Sequence, residues 1–361
     1  MLWGGVSGYA AACWRAMAAR TDVALRVVVP APNASAPFDA SLMSGFESRL
    51  LTPAEVPNYE LVRDELLKND PQVIVLPGWM KPLHPTKLAA DPKLAGRRLI
   101  MFLDTPFRGT WRQYLGKWAN ASYFKRLSLA VGAGDRSRTL AQILGINDSI
   151  VRTGCYGIDF PFFEPALAKR VEAGSWPRRF LFSGRYFSAD KGLDLLVEGY
   201  RLYRERVTDP WELSTCGAGP DEGLVAGKPG ITNLRFVQPD QQQALYASVG
   251  AFVLPSRYDP WPLVIVEACA SGLPVLCSSR CGSAVDLVRP YYNGQVFASD
   301  HAEPVAGAMQ WLHEELERDP SSGYAMGVRS QQLARPFGAD FWAARWAGYF
   351  QEALREKMPG H

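Results

Sequence analysis

Short runs of consecutive apolar residues recur along the chain, separated by segments in which apolar residues return every three to four positions. In the first half the runs are Ala24–Val29, Val73–Leu76, Leu99–Leu103 and Leu127–Val131. In the second half they are Phe180–Ser183, Leu213–Cys216, Leu234–Val237, Ala251–Leu254 and Pro274–Cys277. Continuous apolarity is what a strand buried on both faces requires, as in a parallel sheet covered by helices. The segments between, such as Leu193–Arg206 and Gln241–Ser248, carry helical spacing. Strand–helix alternation through both halves predicts two doubly wound, Rossmann-like α/β domains.

The boundary is expected near Phe162–Pro177, where prolines bracket a charged stretch. This gives a first domain of residues 1–165 plus 337–361 and a second of 175–336. The closing segment Phe337–Glu356 repeats Phe341, Trp342, Trp346, Tyr349 and Phe350 at helical spacing and predicts one amphipathic helix. The start is unusual. Met1-Leu2-Trp3 runs directly into a glycine loop, Gly4-Gly5-Val6-Ser7-Gly8, and then a helix over Tyr9–Ala19. In a doubly wound sheet the strand before such a turn lies mid-sheet, and three residues fall short of the usual strand of about five. A missing or truncated first strand is therefore expected, with a vacancy beside the next one.

Composition narrows the picture. A length of 361 residues fits two domains or three, and 47% hydrophobic residues exclude a disordered chain. No run approaches the ~18 apolar residues that cross a bilayer, and no export signal is seen. With 39 Lys+Arg against 36 Asp+Glu the net charge is +3, which gives no ground for a nucleic-acid partner. Cys13, Cys155, Cys216, Cys269, Cys277 and Cys281 are scattered and read as reduced, cytoplasmic thiols. Cys277 and Cys281 lack the second pair or histidine that a structural zinc needs. The four histidines form no H-E-x-x-H, which removes zincin chemistry, and with no G-x-S-x-G elbow a Ser-His-Asp triad has few candidates and no support.

Two stretches carry candidate chemistry. In Leu254–Cys277 a strand ends at Leu254, a loop carries Asp259, and a helix begins near Pro262–Leu263 and ends at Ser271-Gly272. Free N–H groups at such a helix start favour a phosphate, which makes the amides of Leu263 and Val264 diphosphate donors. Glu267 lies about one turn further on. It reads either as a surface helix acid or as a ligand to a hydroxyl of the phosphate-bearing molecule; its place inside the run LVIVEACA favours the second. In Ser183–Gly192, Arg185 and Lys191 sit on a loop after a strand, where they either clamp a diphosphate or are simply solvated.

Together these stretches resemble the retaining glycosyltransferases of family 4. Gly4-Gly5-Val6 looks like that family's N-terminal glycine loop against the donor phosphates. Tyr156-Gly157-Ile158-Asp159 with Phe163 and Pro165 resembles its N-G-V-D…F-x-P signature, and Gly184-Arg185 with Lys191-Gly192 its G-R…K-G clamp. Cys216–Pro220 resembles its G-x-G-P turn, and Asp259 to Glu267 with Gly272–Val275 its E-x₇-E motif and G-x-P-V tail. The resemblance covers nearly the whole chain and implies the GT-B architecture, two Rossmann-like domains facing across a cleft. It implies sugar transfer from a nucleotide diphosphate donor to a glycan, lipid-linked or small-molecule hydroxyl, in surface polysaccharide or glycoconjugate synthesis.

On that resemblance Arg185 and Lys191 neutralise the leaving diphosphate, Glu267 holds the ribose and Asp259 the transferred sugar, and Gly184 lies against the donor. No cofactor and no metal is implied, and the chain contains no D-x-D triplet. It departs from the family at Asp259, one methylene short of glutamate, and at Pro262, where a glycine would supply one more backbone donor. The Arg185–Lys191 loop is one residue longer than usual, and Leu103 stands where a histidine is common. Asp104 is then the nearest polar group, either as a general base or orienting group for the acceptor, or as the start of an Asp104-Thr105-Pro106 turn.

The segment Arg108–Arg126 mixes Arg108, Arg112, Lys117, Lys125 and Arg126 with Trp111, Tyr114, Trp118, Tyr123 and Phe124, and holds no acid. It is the candidate for peripheral contact with the inner face of a membrane; the alternative is inward-packed aromatics. Two rival functions remain: a non-catalytic relative that binds nucleotide or glycan, and a Rossmann dehydrogenase. The second is disfavoured because Gly217-x-Gly219 leads into Pro220 rather than a third glycine. The donor base is expected near Phe236–Pro239.

Overall fold

The computed structural model describes residues 1–32, 40–79 and 81–355. The chain divides into two compact units, Met1–Asp159 with Phe337–His361, and Phe160–Pro336. Residues 160–165 pack within the second unit rather than the first, because Phe163 sets its ring edge-on against Tyr246 at 5.6 Å.

In the first unit the strands are β1 (Arg26–Pro30), β2 (Glu47–Leu51), β3 (Val73–Pro77), β4 (Arg98–Leu103), β5 (Leu127–Gly132) and β6 (Val151–Thr153). All pair in parallel, β1 with β2 and β3-β4-β5-β6 in order. The first three residues lie between these two groups. The Leu2 N–H donates to the Val75 carbonyl (2.9 Å), the Trp3 N–H to that of Val28 (3.0 Å), and the Val28 N–H to that of Met1 (2.8 Å). Leu2 is fully buried and bridges Val28 in parallel. The expected vacancy is therefore not observed: Met1–Trp3 holds the mid-sheet position, and the order reads as doubly wound about Leu2.

From there the chain enters the glycine loop and the helix Gly8–Ala18, whose N-cap Ser7 accepts from the Ala10 N–H at 3.4 Å. The closing helix is Ala339–Arg355, with Trp342 and Trp346 buried, and Glu356 lies outside the described residues. The Trp342 indole donates to the Cys155 carbonyl (2.8 Å) and the Tyr349 hydroxyl to that of Thr153 (2.9 Å), which ties this helix to the end of β6. The segment Arg108–Arg126 is not one helix. It forms Trp111–Ala119 and Ala121–Lys125, broken at Asn120.

The second unit contains β7 (Arg179–Ser183), β8 (Glu212–Cys216), β9 (Ile231–Asn233), β10 (Ala251–Leu254), β11 (Val275–Ser278) and β12 (Gly294–Phe297). They form one parallel sheet in the order β12-β11-β10-β7-β8-β9. The order reverses between β7 and β10, and such a switch point is where doubly wound sheets bind ligands. The strand expected over Leu234–Val237 does not form. β9 stops at Asn233, and Arg235 takes φ 56°, which ends the extended run and leaves Phe236 exposed. β2, β6 and β12, which no apolar run announced, are only partly buried.

Candidate active site

The loop after β7 is shaped by its neighbours. The Gly184 N–H donates to the Cys216 carbonyl and the Tyr186 N–H to that of Ala218, both at 2.9 Å. A side chain on Gly217, at φ 153°, would overlap the Gly184 carbonyl oxygen. The glycine pair after β8 thus serves a backbone contact between adjacent loops. A short helix, Ser188–Lys191, follows and ends at Gly192 with φ 65°, where any Cβ would overlap the Pro255 carbonyl.

That contact presses the β7 loop against the loop after β10, and polar bonds fasten the two. The Tyr258 N–H donates to the Asp190 carbonyl (3.0 Å). The Arg257 guanidinium donates to the Ser188 carbonyl (2.7 Å) and to both carboxylate oxygens of Asp194 (2.6 and 2.8 Å). Lys191 forms an ion pair with Asp259, whose carboxylate is buried while the lysine side chain is 24% exposed. Arg185 is exposed, with its guanidinium 5.3 Å from the Phe187 ring, and no carboxylate pairs with it among the described residues.

The second loop delivers the helix Leu263–Ala270. Pro262, at φ −66°, is its N-cap and supplies no side-chain cap. The Leu263 and Val264 N–H groups precede the first intrahelical bond and sit at the positive end of the helix dipole. The Ser283 hydroxyl donates to the Pro262 carbonyl (3.0 Å) and the Gly282 N–H to that of Asp259 (2.9 Å), which fixes the entry. At the far end buried Arg170 donates to the carbonyls of Gly272 (2.9 Å), Ser271 (3.1 Å) and Tyr246 (2.8 Å). Burial pushes its guanidinium down to about 9. A cation against the last carbonyls complements the dipole and holds the helix in line.

Glu267 is buried, so it is not a surface acid. The Tyr246 hydroxyl donates to its Oε2 at 3.3 Å. Desolvation pushes its carboxyl up to about 7, and the same burial, with Glu267 and Cys216 close by, pushes the Tyr246 hydroxyl well above its ordinary value. A carboxyl that titrates near neutrality is only part ionised there, and any hydroxyl that donates to it favours its ionised, hydrogen-bond-accepting form.

The first unit carries the remaining expected residues. A Cβ on Gly5 would meet nothing within 4 Å, so packing does not require glycine there, unlike Gly217. Gly4 is exposed beside it, ahead of the helix Gly8–Ala18. Asp104 follows β4 and is more than a turn residue. Its Oδ2 accepts from the Tyr156 hydroxyl (2.9 Å) and its Oδ1 from the Thr105 hydroxyl (3.3 Å). Tyr156 stacks edge-on with Tyr9 of the first helical turn at 5.7 Å.

Sequence reasoning missed Arg257, Arg170, Tyr246 and Tyr156 as supports. Arg257 lies two residues before Asp259 and Tyr156 opens the Tyr-Gly-Ile-Asp stretch, so nearness to a motif was the available signal. Arg170 and Tyr246 had none, because Arg170 reaches across 76 and 102 residues of chain and Tyr246 meets Glu267 across 21, outside any motif. Among the described residues no group of three or more His, Cys, Asp or Glu is placed to hold a metal ion.

Residues 177–315 match the family model for glycosyl transferases group 1. The second unit is a group 1 glycosyltransferase domain. This domain holds Arg185, Lys191, Asp259, Leu263, Val264 and Glu267. The chain is 24% identical over 176 residues to an uncharacterized glycosyltransferase of Haemophilus influenzae, covering 47% of this chain and 48% of that protein. It is 30% identical over 254 residues to D-inositol 3-phosphate glycosyltransferase of Streptomyces bingchenggensis, covering 62% of this chain and 54% of that one. The chain thus spans about half the length of these curated relatives. The crystal structure of Anabaena HepE in complex with UDP matches with a TM-score of 0.71 at 17% identity, over 97% of this chain and 99% of that one. That likeness shows the GT-B fold around the glycosyltransferase domain.

Proposed function

We propose that the chain is a retaining glycosyltransferase of family 4 that moves a hexosyl group from a nucleoside diphosphate sugar to a hydroxyl of a glycan, lipid-linked or small-molecule acceptor. Surface polysaccharide or glycoconjugate synthesis is the setting this implies. One observation carries the reading. At the reversal of the second sheet, Arg185 and Lys191 leave β7 while the amides of Leu263 and Val264, which precede the first intrahelical bond, follow β10. A diphosphate at that edge meets two cations and a helix N-terminus.

As the bond from the anomeric carbon to the diphosphate breaks, negative charge grows on the departing phosphate oxygen, and these groups stabilise it. The new bond joins the acceptor oxygen to the same face of the anomeric carbon, and the departing phosphate oxygen takes the acceptor proton. Retention then needs no sugar–protein bond. Glu267 receives the ribose hydroxyls and Asp259 those of the transferred sugar. Gly4 and Gly5 approach the donor phosphates, and Asp104, held by Tyr156, orients the acceptor hydroxyl. The protein cations do the neutralising, so the reading calls for no metal or cofactor. Six buried cysteines, none in a disulfide among the described residues, support a cytoplasmic setting.

The test is nucleoside diphosphate release from a panel of nucleotide sugars, beginning with UDP-sugars because UDP occupies the HepE structure. One donor is turned over, and Lys191→Ala lowers turnover by roughly 10²–10³. The ion pair of Lys191 with Asp259, together with Pro262 at the helix start, favours a second reading, a nucleotide-binding relative without catalysis. Nucleotide binding with no turnover of any donor would establish that one.

A further inference from the structure

We propose that the helix Trp111–Ala119 docks the chain on an anionic lipid bilayer. Its amphipathicity is inverted. A surface helix ordinarily turns its apolar stripe inward, yet here the buried side chain is Gln113. Its amide donates to the Pro106 carbonyl (2.9 Å) and its Oε1 accepts from the Arg108 N–H (2.8 Å), so polar bonds anchor the helix to the preceding loop. Gly116 faces Leu144, where a Cβ would sit at 3.3 Å. Turned outward instead are Trp111 (66% exposed), Tyr114 (54%), Leu115 (53%) and Trp118 (77%). Their spacing of three, four and seven residues places them on one stripe.

Charge selects the occupant. Arg108, Arg112, Lys117 and Lys125 are exposed around this stripe, and no Asp or Glu occurs anywhere between Asp104 and Asp135. The guanidinium of Arg112 lies 5.6 Å from the Trp111 ring and the ammonium of Lys117 5.8 Å from that of Trp118. Cations rimming aromatic rings match the headgroup layer, where the rings enter the acyl boundary and the cations meet lipid phosphates. The next helix differs in kind, since Tyr123 and Phe124 are buried and hold the segment to the unit. Among the described residues no helix is long and apolar enough to cross a membrane, so contact of this sort is peripheral. Asp104 lies seven residues before Trp111, at most about 25 Å of chain, so docking brings the proposed acceptor end of the first unit to the bilayer surface.

The full chain is co-sedimented with phosphatidylcholine vesicles and with vesicles that also contain phosphatidylglycerol. The anionic vesicles are expected to retain the protein, the neutral ones much less, and added salt to release it. Trp111→Ser with Trp118→Ser lowers the partition coefficient by about tenfold or more. Arg112→Glu with Lys117→Glu lowers it by about fivefold or more for each charge. All four side chains are exposed, and superimposable thermal melts check the fold. Equal retention on both vesicle types, or variants that bind as wild type does, would overturn the proposal. Self-association in the absence of lipid that the Trp→Ser pair abolishes, with no preference for anionic vesicles, would also overturn it and make this face a protein interface.

Discussion

Lys191 and Asp259 form an ion pair that joins the loop after β7 to the loop after β10 across the switch point of the second sheet. The carboxylate is almost wholly covered, while the lysine side chain stays about a quarter exposed. A diphosphate bound as proposed shares Lys191 with an internal acid rather than meeting a free cation.

Asp259→Asn should separate these two roles. With the negative charge gone, a nucleoside diphosphate binds several-fold more tightly, while transfer of the sugar slows because its hydroxyls lose a charged acceptor. Stability falls by about 1–2 kcal/mol, the scale of a charged hydrogen bond replaced by a neutral one. Titration calorimetry with the free nucleoside diphosphate, beside turnover of the sugar donor, reads both effects.

Glu267 makes stability depend on pH. Its folded-state carboxyl titrates near 7 against an ordinary value of 4.5. Its contribution to folding is thus fully present below pH 4.5 and is lost as pH rises through 7. Glu267→Gln does not titrate, so it should match wild type near pH 4.5 and exceed it by roughly 3 kcal/mol above pH 8. Urea melts across that range check the difference. Nucleotide binding in two buffers near pH 6.5 should release more protons from wild type than from the variant, whose remaining release comes from the terminal phosphate.

Pro262 stands at the helix start without an N–H. Pro262→Gly adds a backbone donor beside Leu263 and Val264, so nucleoside diphosphate affinity should rise several-fold. The melting temperature should fall slightly, because glycine costs about 0.4–1 kcal/mol in unfolded-chain entropy where proline fitted. An unchanged affinity would mean that the phosphates do not reach this end of the helix.

Asp104→Asn should slow transfer by roughly tenfold, because a neutral amide orients the acceptor hydroxyl more weakly than a carboxylate, by about 1 kcal/mol. Nucleoside diphosphate binding should be untouched. Tyr156→Phe, which removes the hydroxyl holding Oδ2, should lower kcat with little change in donor KM. Steady-state kinetics on the two variants separate positioning from donor binding.

Much of this arrangement was legible in the sequence because strands buried on both faces write continuous apolar runs, and loops at their ends write glycine and charge. Ala251–Leu254 and the helix ending at Ser271 are read directly from such signals. Leu234–Val237 misled because apolar residues can also line an exposed turn, here one opened by Arg235 at positive φ. The first strand was judged by length, whereas Leu2 needs only neighbours on both sides to hold its place. The partner of Lys191 was hidden for another reason. Asp259 lies 68 residues away, and its pairing follows from sheet order rather than from local pattern. The outward stripe Trp111–Trp118 shows the same limit, since spacing defines a face but not the direction it turns.

The central claim is that Arg185, Lys191 and the amides of Leu263 and Val264 together hold a diphosphate. It is tested most directly by calorimetric titration of UDP, GDP and ADP, each beside its parent nucleoside, into wild type and an Arg185→Ala, Lys191→Ala double variant. The account predicts that one diphosphate binds wild type at least about a hundredfold more tightly than its nucleoside, a difference of about 2.7 kcal/mol. It also predicts that the double variant loses most of that gap. Equal binding of nucleoside and diphosphate, or a gap that survives in the variant, would contradict it.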